Sequence, residues 1–393
     1  ITLYCSLSSI SVDFFTNLKR LNDITLVVLC AGNSTRFDNL CKKQWIRIDN
    51  EPLWLNVTNR LTSFSNFSKT IVVSHKDELS YMKNFSDDFI YVEGGDTRQN
   101  SIKNALEFVD TPYVMISDVA RACISKNIIS DLIQNKNKAS CIVPILDVSD
   151  TVIFEKNTIN REDVKLIQTP QLSNSDILRK AISKDIEFTD ESSAIKNIGE
   201  DIFYIKGDIA SKKLTFFEDI SQIPCLKAPA KTQFVGIGYD IHSFEDKKEM
   251  FLGGVKLPYN YGFKAHSDGD VLIHSLIDAL LGAIGAGDIG EFFPDTDDKF
   301  KGIDSKILLQ KIISFVNNVG YEIVNIDITI IAQKPKINPH KNEIKSSLSK
   351  LLNLPKQFIN IKASTAEKLG AVGREEGVVV QAMTNLRYYD WTK

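Results

Sequence analysis

Short apolar runs alternate with helical patterns along this chain, and one proline-bearing stretch interrupts the alternation. Residues 24–30 (Ile-Thr-Leu-Val-Val-Leu-Cys) read as a buried strand, and strands follow at 70–74, 89–92, 113–117 and 141–146. Helical periodicity falls between them, for example at 97–109 and 125–135. Such alternation argues for an α/β domain with a mostly parallel sheet, and sheets of that kind bind ligands beyond the carboxyl ends of their strands. At 221–232 the chain reads Ser-Gln-Ile-Pro-Cys-Leu-Lys-Ala-Pro-Ala-Lys-Thr, whose prolines and lack of periodicity predict a linker. Alternation then resumes with a strand at 234–242 and helices at 270–284 and about 304–319. A strand at 323–333, a helix at about 340–352 and strands at 358–364 and 377–388 complete it. The 393 residues suffice for two or three domains. The expected division is an extension over 1–22, a first α/β domain over 23–222, a linker over 223–232 and a second α/β domain over 233–393.

A net charge of −3 gives no general case for nucleic acid or an anionic membrane surface. No apolar run approaches the roughly 18 residues that a membrane helix needs. The first 22 residues carry no basic start, and Asp13 interrupts their apolar stretch, so a signal peptide is not expected. The cysteines are Cys5, Cys30, Cys41, Cys123, Cys141 and Cys225, with no Cys-x-x-Cys spacing. They read as reduced thiols of a cytoplasmic protein rather than a disulfide framework. Any metal in the last third must therefore use nitrogen and oxygen ligands.

Three of the five histidines fall between positions 242 and 274. Asp240 and His242 lie two apart on a predicted strand, hence on one face. His274 falls in the second turn of the helix predicted from Asp270. Two histidines and one aspartate suit a catalytic zinc, or another divalent cation, with an open fourth position. Asp268 and Asp270 also have a plainer reading, as caps of the helix that carries His274.

In the first half, the strand at 24–30 leads into Ala31-Gly32-Asn33-Ser34-Thr35, then Arg36 and Lys42-Lys43-Gln44. Backbone N–H groups of a small-residue turn can approach phosphate oxygens, and Arg36 and Lys43 could neutralise charge on one triphosphate. Neither G-x-x-x-x-G-K-[ST] nor G-x-G-x-x-G is present in this loop. Gly94-Gly95-Asp96-Thr97-Arg98 with Ser101, Asp118 with Arg121, Thr169-Pro170-Gln171 and Lys212-Lys213-Leu214-Thr215 follow in order. As an ordered set, over about 24–220, these motifs resemble 2-C-methyl-D-erythritol 4-phosphate cytidylyltransferase. The resemblance implies that Ala31, Gly32, Gly95, Asp96 and Ser101 hold CTP, with magnesium or manganese. Asp118 and Arg121 would flank the ribose and substrate, and Thr151, Arg161, Lys213 and Thr215 would hold methylerythritol phosphate. Arg36 and Lys43 are the candidates for transition-state stabilisation, since joining two polyanions demands cations rather than a general base. Cys30, Lys42, Val119 and Ala122 depart from the family pattern, which has Pro at the position of Lys42.

The C-terminal motifs match a second family. Gly238-Tyr-Asp-Ile-His242, Ala265-His-Ser-Asp-Gly-Asp270, Gly287-Asp-Ile-Gly290 and Phe293-Pro-Asp-Thr-Asp297 occur in register. Ala332-Gln-Lys-Pro-Lys336, Glu367-Lys-Leu-Gly370 and Gly373-Arg-Glu-Glu-Gly377 complete the series. Over 234–390 this is similar to 2-C-methyl-D-erythritol 2,4-cyclodiphosphate synthase. By that resemblance Asp240, His242 and His274 bind zinc, and Glu367 holds a second divalent cation on the substrate diphosphate. His266 and Thr365 would stabilise the transition state. Ser267 would bind substrate, Asp288, Gly290 and Asp295 would meet the methylerythritol part, Ala332, Lys336, Ile337, Asn338 and Ser364 the cytidine, and Arg374 a phosphate. Ala366 replaces the family's Thr.

The whole chain thus resembles a bifunctional methylerythritol phosphate pathway enzyme that turns over CTP, methylerythritol phosphate and CDP-methylerythritol 2-phosphate. The resemblance implies trimeric and dimeric contacts combined in one homo-oligomer. It also implies association with, or at least dependence on, a separate CDP-methylerythritol kinase for the intervening step. The alternative is a cytidylyltransferase for another polyol phosphate, fused to a trimerisation domain stapled by structural zinc.

Overall fold

The computed structural model describes residues 23–183 and 186–393. The extension expected over 1–22 lies outside the described residues. The chain divides into two compact units between Lys227 and Ala228.

The first unit is built on an eight-stranded mixed sheet. β1 (Ile24–Leu29), β2 (Lys69–Ser74), β3 (Ile90–Glu93) and β4 (Tyr113–Asp118) run parallel in the order β4-β1-β2-β3. Helices Leu53–Phe64, Lys76–Lys83 and Arg98–Leu106 connect them. Val27, Ile71 and Ile116 on one face and Val28, Val72 and Met115 on the other are fully buried, so both sheet faces are covered, as continuous apolar runs require. Beyond β4 the sheet changes character. Strand Gln171–Asn174 runs antiparallel to both β4 and strand Cys141–Asp147. Strand Lys165–Ile167 extends that edge antiparallel, while Ile202–Lys206 joins it parallel. The hairpin Val152–Phe154/Asn157–Ile159 stands off the sheet.

One expectation fails here. Cys123 and Cys225, with Cα atoms 5.7 Å apart, form a disulfide rather than two reduced thiols. The 102 positions between them hide the pair from any spacing rule. Folding lays the end of the first unit against the loop after β4, where Leu214 N–H donates to Ala120 O. Cys30, Cys41 and Cys141 are free and buried.

The second unit is a five-stranded sheet backed by helices. Strand Gln233–Asp246 pairs antiparallel with Gly377–Tyr388, which pairs antiparallel with Tyr321–Ile331. Ile359–Ser364 joins the last of these parallel. Helix Val271–Ile284 packs across the sheet and is apolar almost all round, as a buried helix should be. Its Asp270 cap accepts from Ile273 N–H, and Gly285 ends it at φ 69°. Gly236 and Gly238 set the distance of approach. A Cβ at Gly238 would lie 1.9 Å from Ser275 O, and one at Gly236 2.0 Å from Ala279 O. Only glycine lets this strand lie against this helix.

Candidate functional sites

In the first unit a cavity of about 440 Å³ opens at the carboxyl ends of β1 to β4. Ala31, Gly32, Gly95, Asp96, Ser101, Lys43, Asp118 and Lys213 all line it. Thr97 caps the helix Arg98–Leu106 through Asn100 N–H, and Ser101 Oγ accepts from Gly95 N–H at 3.1 Å. Two glycine-bearing turns thus face the cavity with their backbones exposed to a ligand.

The charges are arranged around Asp118. Its carboxylate accepts from Lys213 Nζ at 2.6 Å and Arg98 Nε at 3.1 Å, and Arg98 continues to the buried Glu191. Burial alone would raise the Asp118 pKa, but Arg98, Lys213 and Arg121 outweigh it and hold the carboxyl well below the usual range. Lys43 Nζ donates to Leu214 O at 3.2 Å. Burial first, then the charges of Lys213 and Arg36, push its pKa down to about 8. Lys43, Lys213 and Arg36 therefore lie within electrostatic reach of one another around Asp118, an arrangement that suits a polyphosphate.

Not every expected residue is there. Arg36 acts on Lys43 electrostatically but does not line the cavity, nor does Thr215. Arg121 is buried, with its guanidinium donating to Thr169 Oγ1, Ser211 O and Ile167 O. Thr151 and Arg161 flank the exposed hairpin, away from the cavity lining. Arg98 joins Asp118 to Glu191, a role that the motif around it does not announce. Its distance from Glu191 in sequence left no signal for the pair.

In the second unit Asp240, His242 and His274 each offer a ligand atom, all within 4.8 Å of one another. Asp240 and His242 share a strand face, and close strand–helix packing brings His274 to them. His242 Nε2 lies 3.0 Å and His274 Nδ1 3.5 Å from Asp240 Oδ2. The outer nitrogens are held as well. His242 Nδ1 lies 2.8 Å from Gly269 O, which can only accept, so Nδ1 carries the hydrogen and Nε2 faces Asp240. Ser305 Oγ donates to Asp268 Oδ1, and is thus set to accept from His274 Nε2 at 3.0 Å. Ligating histidines are normally fixed by such contacts. Burial opposes the charge on Asp240, but hydrogen bonds that His242 and His274 donate when their rings are protonated outweigh it and keep its pKa well below the usual range. For His242 burial acts downward, and the bond to Asp240 outweighs it, so its pKa is raised. The donor set, its spacing and the oriented imidazoles fit a divalent cation.

A cavity of about 610 Å³ holds these three with His266, Ser267, Gly290 and Asp295. Asp278 also lines it, one helical turn after His274, and accepts from Ile289 N–H at 2.9 Å. Burial, then Asp288 and Asp240, raises its pKa. The i, i+4 relation to His274 is the signal that sequence reading missed. Asp288 caps a short helix through Glu291 N–H and does not line the cavity. Asp270 is a helix cap, which its plainer reading anticipates, and Asp268 anchors Ser305.

A separate group sits beyond the ends of strands Tyr321–Ile331 and Ile359–Ser364. Ala332, Lys336, Ile337, Asn338, Ser364, Thr365, Glu367 and Arg374 are all absent from that cavity's lining. Thr365 Oγ1 donates to Glu367 Oε1, Ala332 N–H to Ser364 O and Arg374 to Glu376.

Residues 24–225 match the family described as 2-C-methyl-D-erythritol 4-phosphate cytidylyltransferase, and residues 233–387 match the YgbB family. A bifunctional enzyme IspD/IspF from Aliarcobacter butzleri is 67% identical over 371 residues, covering 94% of this chain and 99% of that protein. The chain belongs to the bifunctional IspD/IspF family. A second relative of that description, from a Nitratiruptor species, is 50% identical over 95% of this chain and 100% of its own length. The solved structure of bifunctional IspDF from Campylobacter jejuni superposes with a TM-score of 0.86 at 47% identity, covering 95% of this IspD/IspF chain and all of that one. That fold agrees with the expected pairing of an α/β nucleotidyltransferase unit with an α/β synthase unit.

Proposed function

We propose that each unit's cavity carries one of the two reactions of this bifunctional methylerythritol phosphate pathway enzyme. The first forms CDP-methylerythritol and pyrophosphate from CTP and 2-C-methyl-D-erythritol 4-phosphate. The second converts CDP-methylerythritol 2-phosphate to 2-C-methyl-D-erythritol 2,4-cyclodiphosphate and CMP. The observation that carries the assignment is the pair of unlike cavities in one family-matched chain, one ringed by cations and one by Asp240, His242 and His274.

In the first reaction a phosphate oxygen attacks the α-phosphorus and pyrophosphate departs. The nucleophile is already anionic, so the protein's task is to hold charge and align groups. Lys43, supported by Arg36, meets the triphosphate, and Lys213 turns from Asp118 toward the incoming phosphate. Magnesium or manganese bound with CTP would supply further charge neutralisation. In the second reaction the 2-phosphate attacks the β-phosphorus within one molecule. Asp240, His242 and His274 would hold zinc, which supplies Lewis acidity toward the diphosphate. His266, Ser267, Gly290, Asp295 and Asp278 shape the cavity around the polyol.

We read Thr151 and Arg161 of the first unit, and the group of the second unit that includes Lys336, Ser364 and Glu367, as contributions to sites of neighbouring subunits. Val235, Ile237, Tyr239, Ile241 and Met383 leave one sheet face of the second unit exposed and apolar, with Ile237 62% exposed. That face suits the trimeric contact. Ile153 and Phe154, 69% and 62% exposed, put a similar surface beside Thr151 and Arg161 and suit the dimeric one. The phosphorylation between the two steps belongs to neither site and needs a separate kinase. The reading places the enzyme in the cytoplasm. No helix among the described residues is long and apolar enough to cross a membrane.

Phosphorus NMR on purified protein tests the assignment. CTP with methylerythritol phosphate should yield pyrophosphate, and CDP-methylerythritol 2-phosphate should yield CMP and a cyclic diphosphate. Turnover of another polyol phosphate in preference to methylerythritol phosphate would overturn the first half, and absence of the cyclic product the second.

A further inference from the structure

Lys43 is held between two neighbours that reach the same buried carboxylate. Glu78, on helix Lys76–Lys83, is 1% exposed and does not line the cavity. Its Oε1 accepts from Lys42 Nζ at 2.5 Å. Its Oε2 accepts from Trp45 Nε1 at 2.6 Å and from Gln44 Nε2 at 3.3 Å. Residues 42, 44 and 45 are thus fastened on both sides of residue 43.

Gln44 carries the fastening onward. Its Nε2 also donates to Gly32 O at 3.0 Å, and its Oε1 accepts from Ser34 Oγ at 3.0 Å. Ser34 Oγ in turn accepts from Lys43 N–H at 3.1 Å, and Ser34 sits at φ 56°, a conformation that needs outside support. One carboxylate therefore ties the turn at 32–34 to the segment at 42–45, the two walls of the same loop. A buried carboxylate with three donors is costly unless all of them are met, and here each is.

We infer that Glu78 is a positioning residue for cytidylyl transfer, acting through the 31–45 loop to aim Lys43 at the triphosphate. The inference rests on the assignment of this cavity to that reaction. Three N–H donors converge on Glu78, so an amide in its place would turn its own donors against one of them. Glu78→Gln preserves side-chain volume while releasing one side of the loop. A shift of about 1 Å in a positioning group can cost on the order of 10²-fold in rate.

The test is a cycle of single-turnover rates for Glu78→Gln, Lys43→Ala and the double variant, with cyclisation measured on each full-length protein. The expected result is a fall of about 10–100-fold in transfer for Glu78→Gln. The half-saturating methylerythritol phosphate concentration should change by less than about threefold, and cyclisation should be unchanged. The double variant should be no slower than Lys43→Ala alone, since two changes acting on one group do not add. A merely structural Glu78 would give additive losses, which overturns the inference, as does a Glu78→Gln rate within about threefold of wild type. If Glu78→Gln does not fold, Ser34→Ala breaks the same chain of bonds at a less buried position, and the same non-additivity with Lys43→Ala decides. Wild-type protein that fails to transfer cytidylyl would instead sink the assignment of the cavity.

Discussion

Lys43 is the residue whose environment says most about the first reaction. Its pKa is pushed down to about 8, by burial first and then by Lys213 and Arg36, so part of the population is neutral at pH 8. A bound triphosphate favours the charged form and raises the pKa again. CTP binding should therefore take up a proton between about pH 8 and the ordinary lysine pKa of about 10.4, and little below pH 7. Calorimetry at pH 8.5 in buffers of different ionisation enthalpy measures this, and Lys43→Arg, charged throughout, should abolish it. Uptake that persists in the arginine variant would assign it elsewhere. Lys43→Ala or Arg36→Ala should cut cytidylyl transfer by about 10²-fold or more, as expected for one lost contact to a developing charge. Cyclisation should be intact in both, and loss of both activities in a folded variant would contradict separate sites.

At the scale of elements, the second site depends on one strand lying against one helix. Strand Gln233–Asp246 brings Asp240 and His242, and helix Val271–Ile284 brings His274. His242→Ala or His274→Ala should remove most bound zinc and the cyclase activity, because two ligands hold a cation poorly. His266 lines the cavity outside the three-ligand set, so His266→Ala should keep the metal while cyclisation slows. Metal analysis of the three variants decides, and zinc lost from the His266 variant but kept by the His274 variant would reverse the assignment. Gly238 sets the approach of the two elements. Gly238→Ala forces its Cβ to within 1.9 Å of Ser275 O, a backbone atom that cannot swing aside. Overpacking of this kind should destabilise the second unit by about 1–3 kcal/mol or more, read by urea unfolding.

At the scale of the whole molecule, the two units meet in sequence between Lys227 and Ala228. A cut near residue 228 should give two soluble, separately active proteins, since few contacts normally cross such boundaries. The Cys123–Cys225 disulfide stays within the first piece. If neither piece folds, the boundary is misplaced or the units depend on one another.

What the sequence determined by itself was local. Apolar runs placed β1 to β4 because a strand buried on both faces has no polar side to show. Asp-x-His on a strand and His274 four positions after Asp270 on a helix marked Asp240, His242 and His274 as candidate ligands through the fixed periods of those elements. Ordered motifs gave the family. Tertiary structure decided what is far apart in the chain. The antiparallel half of the first sheet, the Cys123–Cys225 bond, the Arg98–Glu191 pair and the hold of Glu78 on residues 42–45 join positions whose separation carries no period. It also decided which predicted residues share a cavity. Thr151, Arg161 and Glu367 stand apart from both because a side chain's place in sequence fixes its element, while its neighbours are set by how the elements pack.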